Sequence, residues 1–177
     1  DNYKNLLEFP KYIEIETVNA CNARCPMCTI NDWERNYPVM RDNVFNKISD
    51  ELIEHKKHLK RVSLYRDGEP LIDKKLPQRI NKFFENGISN TSIATNVSLL
   101  NEKKSREILE AGLGLVIMSI DSLKKDVFEK IRVRLDFETV KQNAIKFLEL
   151  RDKINPNCRV WIRMIRQEEN KNEWDDY

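Results

Sequence analysis

Along this chain the apolar residues switch between a period of two and a period near 3.6, and that switching constrains the fold more than any other feature. The stretch "YIEIET" (12–17) alternates as a strand. It is followed by "VFNKISDELIEH" (44–55), which places Val44, Ile48, Leu52 and His55 at helical spacing. A second strand is expected at "RVSLY" (61–65), then a helix at "LPQRINKFF" (76–84) through Leu76, Ile80, Phe83 and Phe84, then a third strand at "NTSIAT" (90–95). Asn101 is the expected N-cap of a helix over 101–111, and Gly112 is its stop. "LVIMSID" (115–121) reads as a fourth strand, with helices to follow over 123–131 and 136–153. The second of these starts at Asp136 and carries Phe137, Val140, Ala144 and Phe147 on one stripe. "CRVWIRMI" (158–165) is a fifth strand, and "EENKNEWDDY" is expected to open a further helix. Repeated β/α units of this kind give an α/β fold, a partial open barrel of the (β/α)6 type with parallel strands and helices outside. A chain that stops as a helix begins is expected to be part of a longer protein.

Alternate strand residues of a barrel face its lumen and its helices. Ile13, Ile15, Val62, Leu64, Val116, Met118, Ile120, Val160, Ile162 and Met164 suit the helix side. The lumen is then expected to show Glu14, Glu16, Ser63, Tyr65, Ala94, Asn96, Ser119, Asp121, Trp161 and Arg163. A lumen that polar is a binding cavity rather than a dry core.

Three of the four cysteines sit in "CNARCPMC", at positions 21, 25 and 28, directly after the first strand. The carboxyl end of a parallel strand is where such folds bind ligands. Three thiolates can ligate three corners of a cubane iron–sulfur cluster and leave one iron open. An open coordination position belongs to catalytic rather than structural metal sites. Cys158 starts the fifth strand at the opposite end of the sheet, and a five-residue strand spans roughly 17 Å, so it is out of reach. His55 and His58 fall near that far end and read as solvated helix residues. A closed zinc site is the alternative, and with it a non-catalytic interaction or electron-transfer domain.

Other classes fall away on bulk properties. Four cysteines among 177 residues, clustered as they are, do not make a secreted disulfide scaffold, and a reducing cytoplasm is expected. No apolar run approaches ~18 residues, so no membrane span is expected. Acids and bases are interspersed with a net charge of +2, which gives no nucleic-acid footprint.

The cysteine loop with its C-x3-C-x2-C spacing resembles that of the radical S-adenosylmethionine (SAM) enzymes. Four further stretches resemble that family in the same order along nearly the whole chain. These are "YRDGEPL" after the second strand, "TN" after the third, "SID" at the fourth, and "FEKIR" with "LDFETV" beyond it. The last is similar to the branch that usually carries a C-terminal iron–sulfur (SPASM) domain, and no such domain is expected within residues 1–177. The resemblance implies that residues 1–177 are a core domain in which Cys21, Cys25 and Cys28 ligate a [4Fe–4S] cluster. It implies that Glu69, with the backbone around Asp67 and Gly68, receives the SAM ammonium group, and that Met27 lies beside adenine. Ser119, with Asn96 or Asp121, would meet the ribose or methionine portion, and Arg132 the carboxylate. It also implies a small-molecule or peptide substrate and an electron donor such as flavodoxin or ferredoxin. Arg66, Asp67, Val97 and Arg134 stand where the family favours small residues, often glycine. Arg66, Arg134 and Arg163 together are expected to form an anionic-substrate pocket. A degenerate member that binds SAM without turnover is a further alternative.

Overall fold

Parallel neighbours in a sheet require long crossovers, and each helical segment of this chain supplies one. The computed structural model describes residues 9–33 and 38–177, apart from the side chain of Asn31. Five strands, β1 (Tyr12–Glu14), β2 (Arg61–Ser63), β3 (Thr91–Thr95), β4 (Leu115–Ser119) and β5 (Arg159–Arg163), form one all-parallel sheet in sequence order. Between them run α1 (Asp42–Glu54), α2 (Leu76–Glu85), α3 (Glu102–Glu110), and the pair α4 (Lys125–Ile131) and α5 (Phe137–Ile154). The architecture is an open partial barrel. Each ladder is shorter than the apolar pattern predicts, yet pairing continues past it through Ile15 N–H to Ser63 O (2.8 Å) and Leu64 N–H to Ser92 O (2.8 Å). Beyond those bonds the chain leaves the sheet to build the loops at its carboxyl edge.

The main core lies between the sheet and the helices, where Val62, Leu64, Ile93, Val116 and Met118 share a cluster with Ile80, Phe83, Phe128 and Phe147. On α1 Leu52 is buried and Ile48 half-buried as the predicted stripe requires, but Val44 is exposed and Phe45, one residue on, is buried with Ser49 instead. Phe45 prevails because it stacks edge-on against Phe83, with centroids 5.9 Å apart, under the Arg79 guanidinium at 4.5 Å. An aromatic ring offers more apolar area to bury than an isopropyl group. Gly112 ends α3 as expected: its φ of +85° lets Leu113 N–H reach Ile108 O and Gly112 N–H reach Leu109 O.

Three expectations are corrected. Ala94, Leu115 and Ile117 form a small buried cluster with Tyr65 against it, so the lumen has an apolar floor below its polar rim. Residues Glu168–Glu173 form a 3-10 segment rather than an α-helix. Asn170 is the cause, because its side chain donates to Asp121 O and Ile165 O and accepts from Gln167 N–H and Trp174 Nε1–H. Those local bonds compete with helical ones. Lastly, His55 and His58 are half-buried against Phe9, with the His55 ring 4.5 Å away edge-on.

Val97 (φ 68°) and Arg134 (φ 75°) are the two non-glycine residues with positive φ among those described. That explains why glycine suits both places. A left-handed L-residue costs ~1–2 kcal/mol, whereas glycine's extra freedom costs ~0.5–1 kcal/mol. The exposed Arg134 is therefore a site where Arg134→Gly should raise stability by ~0.5–1 kcal/mol, read as a higher urea midpoint. Val97→Gly should do the opposite, because the Val97 side chain is fully buried and losing that burial (~1.5–3 kcal/mol) outweighs the relief.

Candidate active site

The segment after β1 is clasped before it reaches its cysteines. Val18 bridges Val39, Asn19 N–H donates to Pro38 O (2.6 Å), and Met40 N–H donates to Thr17 O (2.8 Å). Inside the clasp Arg24 folds back and gives Nη1–H to Cys21 O (2.8 Å) and Ala23 O (2.7 Å). Its own N–H reaches Val133 O at 3.0 Å. Cys28 N–H donates to Cys25 O (3.0 Å), which turns the last two cysteines to one side. Burial pushes the Cys21 and Cys25 thiols above the ordinary cysteine range, although the Arg132 guanidinium pulls Cys25 back in part. Each must therefore lose a proton as it takes up metal.

The exit of β2 lies hard against this loop. Glu69 N–H donates to Ala20 O at 2.8 Å, and a Cβ placed on Gly68 would stand 2.1 Å from Val18 O. The close approach accounts for glycine here. The Glu69 carboxylate, 2% exposed, braces the next strand: Oε1 accepts from Leu71 N–H (3.1 Å) and Thr95 Oγ1–H (2.8 Å), and Oε2 accepts from Asn96 N–H (2.8 Å). One acceptor position remains on Oε2. Asn96 in turn donates Nδ2–H to Asn22 Oδ1 (2.9 Å) and towards Cys21 Sγ (3.8 Å), while Asn22 donates to Ser98 Oγ (2.8 Å). The ends of β1, β2 and β3 are thus cross-braced around the first cysteine.

Burial raises the Glu69 pKa above 4.5, against the pull of Asn96, Thr95, Leu71 and Arg132. A raised carboxyl pKa contributes stability that is complete below the unfolded value and lost as pH climbs through the folded one. The protein is therefore expected to lose stability as pH rises above the ordinary glutamate range. Glu69→Gln should flatten that slope while costing ~1–3 kcal/mol overall, because its amide group would face a backbone N–H. Urea titrations of both proteins across pH test this.

On the far side Arg132 caps α4 and reaches the second cysteine. Its Nη1–H points at Cys25 Sγ (3.7 Å), and its Nε pairs with Asp121 Oδ2 at 2.5 Å. Asp121 is fully buried and also accepts Ile165 N–H on Oδ1 at 2.8 Å. At the end of β4, Ser119 accepts from Arg163 Nη2–H (3.3 Å).

All of these elements enclose one cavity of about 270 Å³ at the carboxyl end of the sheet. Cys21, Cys25 and Cys28 line it, together with Met27, Asp67, Gly68, Glu69, Asn96, Ser119 and Arg132. Asp121 does not border the cavity, because its carboxylate is spent on Arg132 and the Ile165 amide. Arg66 and Arg163 reach the cavity wall, whereas Arg134 and Trp161 do not. Cys158 is a core thiol at the opposite end, pushed up to about 11 by burial. Among the described residues no three of His, Cys, Asp and Glu could hold a single metal ion. Sequence reasoning overlooked Asn22, Ser98 and Arg24. The polar residues inside "CNARC" and after "TN" were the available signal, since short amides and hydroxyls beside a turn bond the backbone or each other.

The family model described as the radical SAM superfamily matches residues 15–174. The chain belongs to the radical SAM superfamily. Membership makes it an enzyme whose cofactors are a [4Fe–4S] cluster and SAM. The chain is 32% identical over 113 residues to the tungsten-containing aldehyde ferredoxin oxidoreductase cofactor-modifying protein of Pyrococcus furiosus, covering 64% of this chain and 31% of that one. It is 30% identical over 131 residues to a probable GTP 3′,8-cyclase of Methanococcus maripaludis, covering 73% of this chain and 43% of that one. Streptococcus suis SuiB bound to SAM has the same fold, with a TM-score of 0.73 at 20% identity over 99% of this chain and 39% of that one. The chain thus spans about a third to under half the length of the curated relatives it matches. No helix among the described residues is long and apolar enough to cross a membrane.

The residues present fit the cluster. Three thiols share one cavity, and an amide and a guanidinium direct N–H groups at two of the sulfurs, donors that a metal-bound thiolate accepts.

Proposed function

We propose that Cys21, Cys25 and Cys28 hold the [4Fe–4S] cluster, that SAM lies beside it in the same cavity, and that the substrate is a polar, anionic small molecule that loses a hydrogen atom. The observation that carries this reading is the convergence of the three thiols with Glu69, Asn96, Ser119 and Arg132 on one cavity. When bound and reduced, the cluster would supply the electron for reductive cleavage of SAM, whose 5′-deoxyadenosyl group would take up the substrate hydrogen atom. The chain's own residues bind and orient. Glu69 offers its remaining Oε2 acceptor position, with the carbonyls around Asp67 and Gly68, to the SAM ammonium. Met27, 37% exposed at the rim, offers a thioether beside adenine. Asn96 and Ser119 present polar groups to the ribose or methionine portion, and Arg132 presents a cation to the carboxylate. The apolar floor of Ala94, Leu115 and Ile117 excludes water beneath them.

Arg163 carries the substrate assignment. It stands on the cavity wall with the neutral Ser119 hydroxyl as its hydrogen-bond partner, whereas Arg66 shares its charge with Glu14 and Asp67. A low-potential flavodoxin or ferredoxin is the proposed electron donor. To test the function, the protein is purified without air, loaded with iron and sulfide, reduced, and assayed for 5′-deoxyadenosine from added SAM. About four irons per chain with SAM cleavage supports the reading. Stoichiometric zinc with no cluster and no cleavage would sink it.

A further inference from the structure

We propose that the buried Asp121–Arg132 pair sets the charge felt by Cys25 and so controls how strongly reducing the cluster is. This rests on the reading that Cys25 is a cluster ligand. A cation beside a ligand sulfur favours the reduced, more negative cluster, and hydrogen bonds to the sulfurs act in the same direction. Arg132 meets both conditions: its side chain is 12% exposed and its Nη1–H points at Cys25 Sγ from 3.7 Å. Acting alone, that cation would make the cluster easier to reduce and a weaker reductant. Asp121 opposes it. Its carboxylate is fully buried, 2.5 Å from Arg132 Nε, and away from the cavity, so it compensates the guanidinium without touching the sulfur. Little solvent intervenes to screen either charge. Nor can Asp121 swing aside, because Oδ1 holds the Ile165 amide (2.8 Å) and its backbone carbonyl holds Asn170 Nδ2 (2.8 Å). Asn170 is itself 1% exposed, so the 3-10 segment holds the Asp121 backbone in place while the Ile165 amide holds its carboxylate. Asp121 and Arg132 are positioning residues in this respect, acting on the cluster through Cys25.

The two charges predict shifts of opposite sign, which a merely structural role would not give. The experiment is a potentiometric titration of the iron-loaded protein without SAM, poised with titanium(III) citrate and read by the paramagnetic signal of the reduced cluster. Arg132→Met should lower the midpoint so that the reduction equilibrium falls about tenfold, a shift of ~59 mV for a one-electron couple. Asp121→Asn should raise it by a comparable amount, and Arg132→Lys, which keeps the charge, should lie nearer the wild type than Arg132→Met. No shift in either variant, or shifts of the same sign, overturns the proposal. With SAM absent, a role for Arg132 confined to the methionine carboxylate would also leave the midpoint in place, and so counts against it. If Arg132→Met takes up no iron, Asp121→Asn decides: an upward shift supports the proposal, and none or a downward one overturns it. Iron content separates the two levels of inference, because a wild-type protein that binds no iron refutes the cluster reading itself.

Discussion

Replacing Cys25 with alanine is expected to abolish iron–sulfur loading and, with it, all SAM cleavage, while leaving the fold in place. Cys25 is the most deeply buried of the three loop thiols and the one that Arg132 faces. Removing a single sulfur from a buried position costs on the order of 1 kcal/mol, a loss a domain of this size tolerates. The chemical consequence is far larger. Two remaining thiols cannot hold the cluster, and Arg132 is left aimed at a void. Iron per chain, 5′-deoxyadenosine yield and a thermal melt, measured on one preparation, test all three parts. A full iron complement in the variant would refute the ligand assignment.

Gly68→Ala is expected to be the most damaging substitution away from the cysteines. The new methyl would lie 2.1 Å from Val18 O and 3.0 Å from Val18 C, and both are backbone atoms. Neither side can yield readily. Val18 is pinned by its bridge to Val39, and Glu69, next in sequence, is tied to Ala20 O at 2.8 Å. Forced overpacking typically costs ~1–3 kcal/mol, and here the strain falls on the joint between the cysteine loop and β2. The expected result is a lower urea midpoint together with reduced iron uptake. Asp67→Ala is the control: Asp67 is half-buried and pairs with the exposed Arg66 at 3.7 Å, so its loss should change the midpoint little. An alanine variant at position 68 that matched the wild type in both measurements would refute the close-approach argument.

Much of the fold was legible because period and position agree wherever a residue is buried on one face. Strand and helix order, the caps at Asn101 and Asp136, and the stop at Gly112 follow from local chemistry that tertiary context does not override. What stayed hidden depends on partners distant in sequence. Val44 and Phe45 fit the helical period about equally, and Phe83 settles between them. Leu115 and Ile117 alternate correctly for the lumen, but nothing local marks the lumen floor as dry. Asp121 sits at the right end of the right strand, yet the basic group at position 132 takes its carboxylate out of the cavity. The tail from 168 to 173 has helical composition, and Asn170 diverts it by bonding to a carbonyl 49 residues away. Val97 and Arg134 were visible as departures from glycine, and the structure gives their cost as a left-handed backbone.

The cross-bracing at the sheet's carboxyl edge has a kinetic consequence. The amides of Glu69 and Asn96 are closed by Ala20 O and by the buried Glu69 carboxylate, respectively. Neither can meet solvent unless the ends of β1, β2 and β3 come apart together. In deuterated water these two protons should therefore be among the last in any loop to exchange, on the timescale of the sheet interior rather than of the surface. A loop region that opens only with the sheet presents its cavity already shaped before any cofactor arrives.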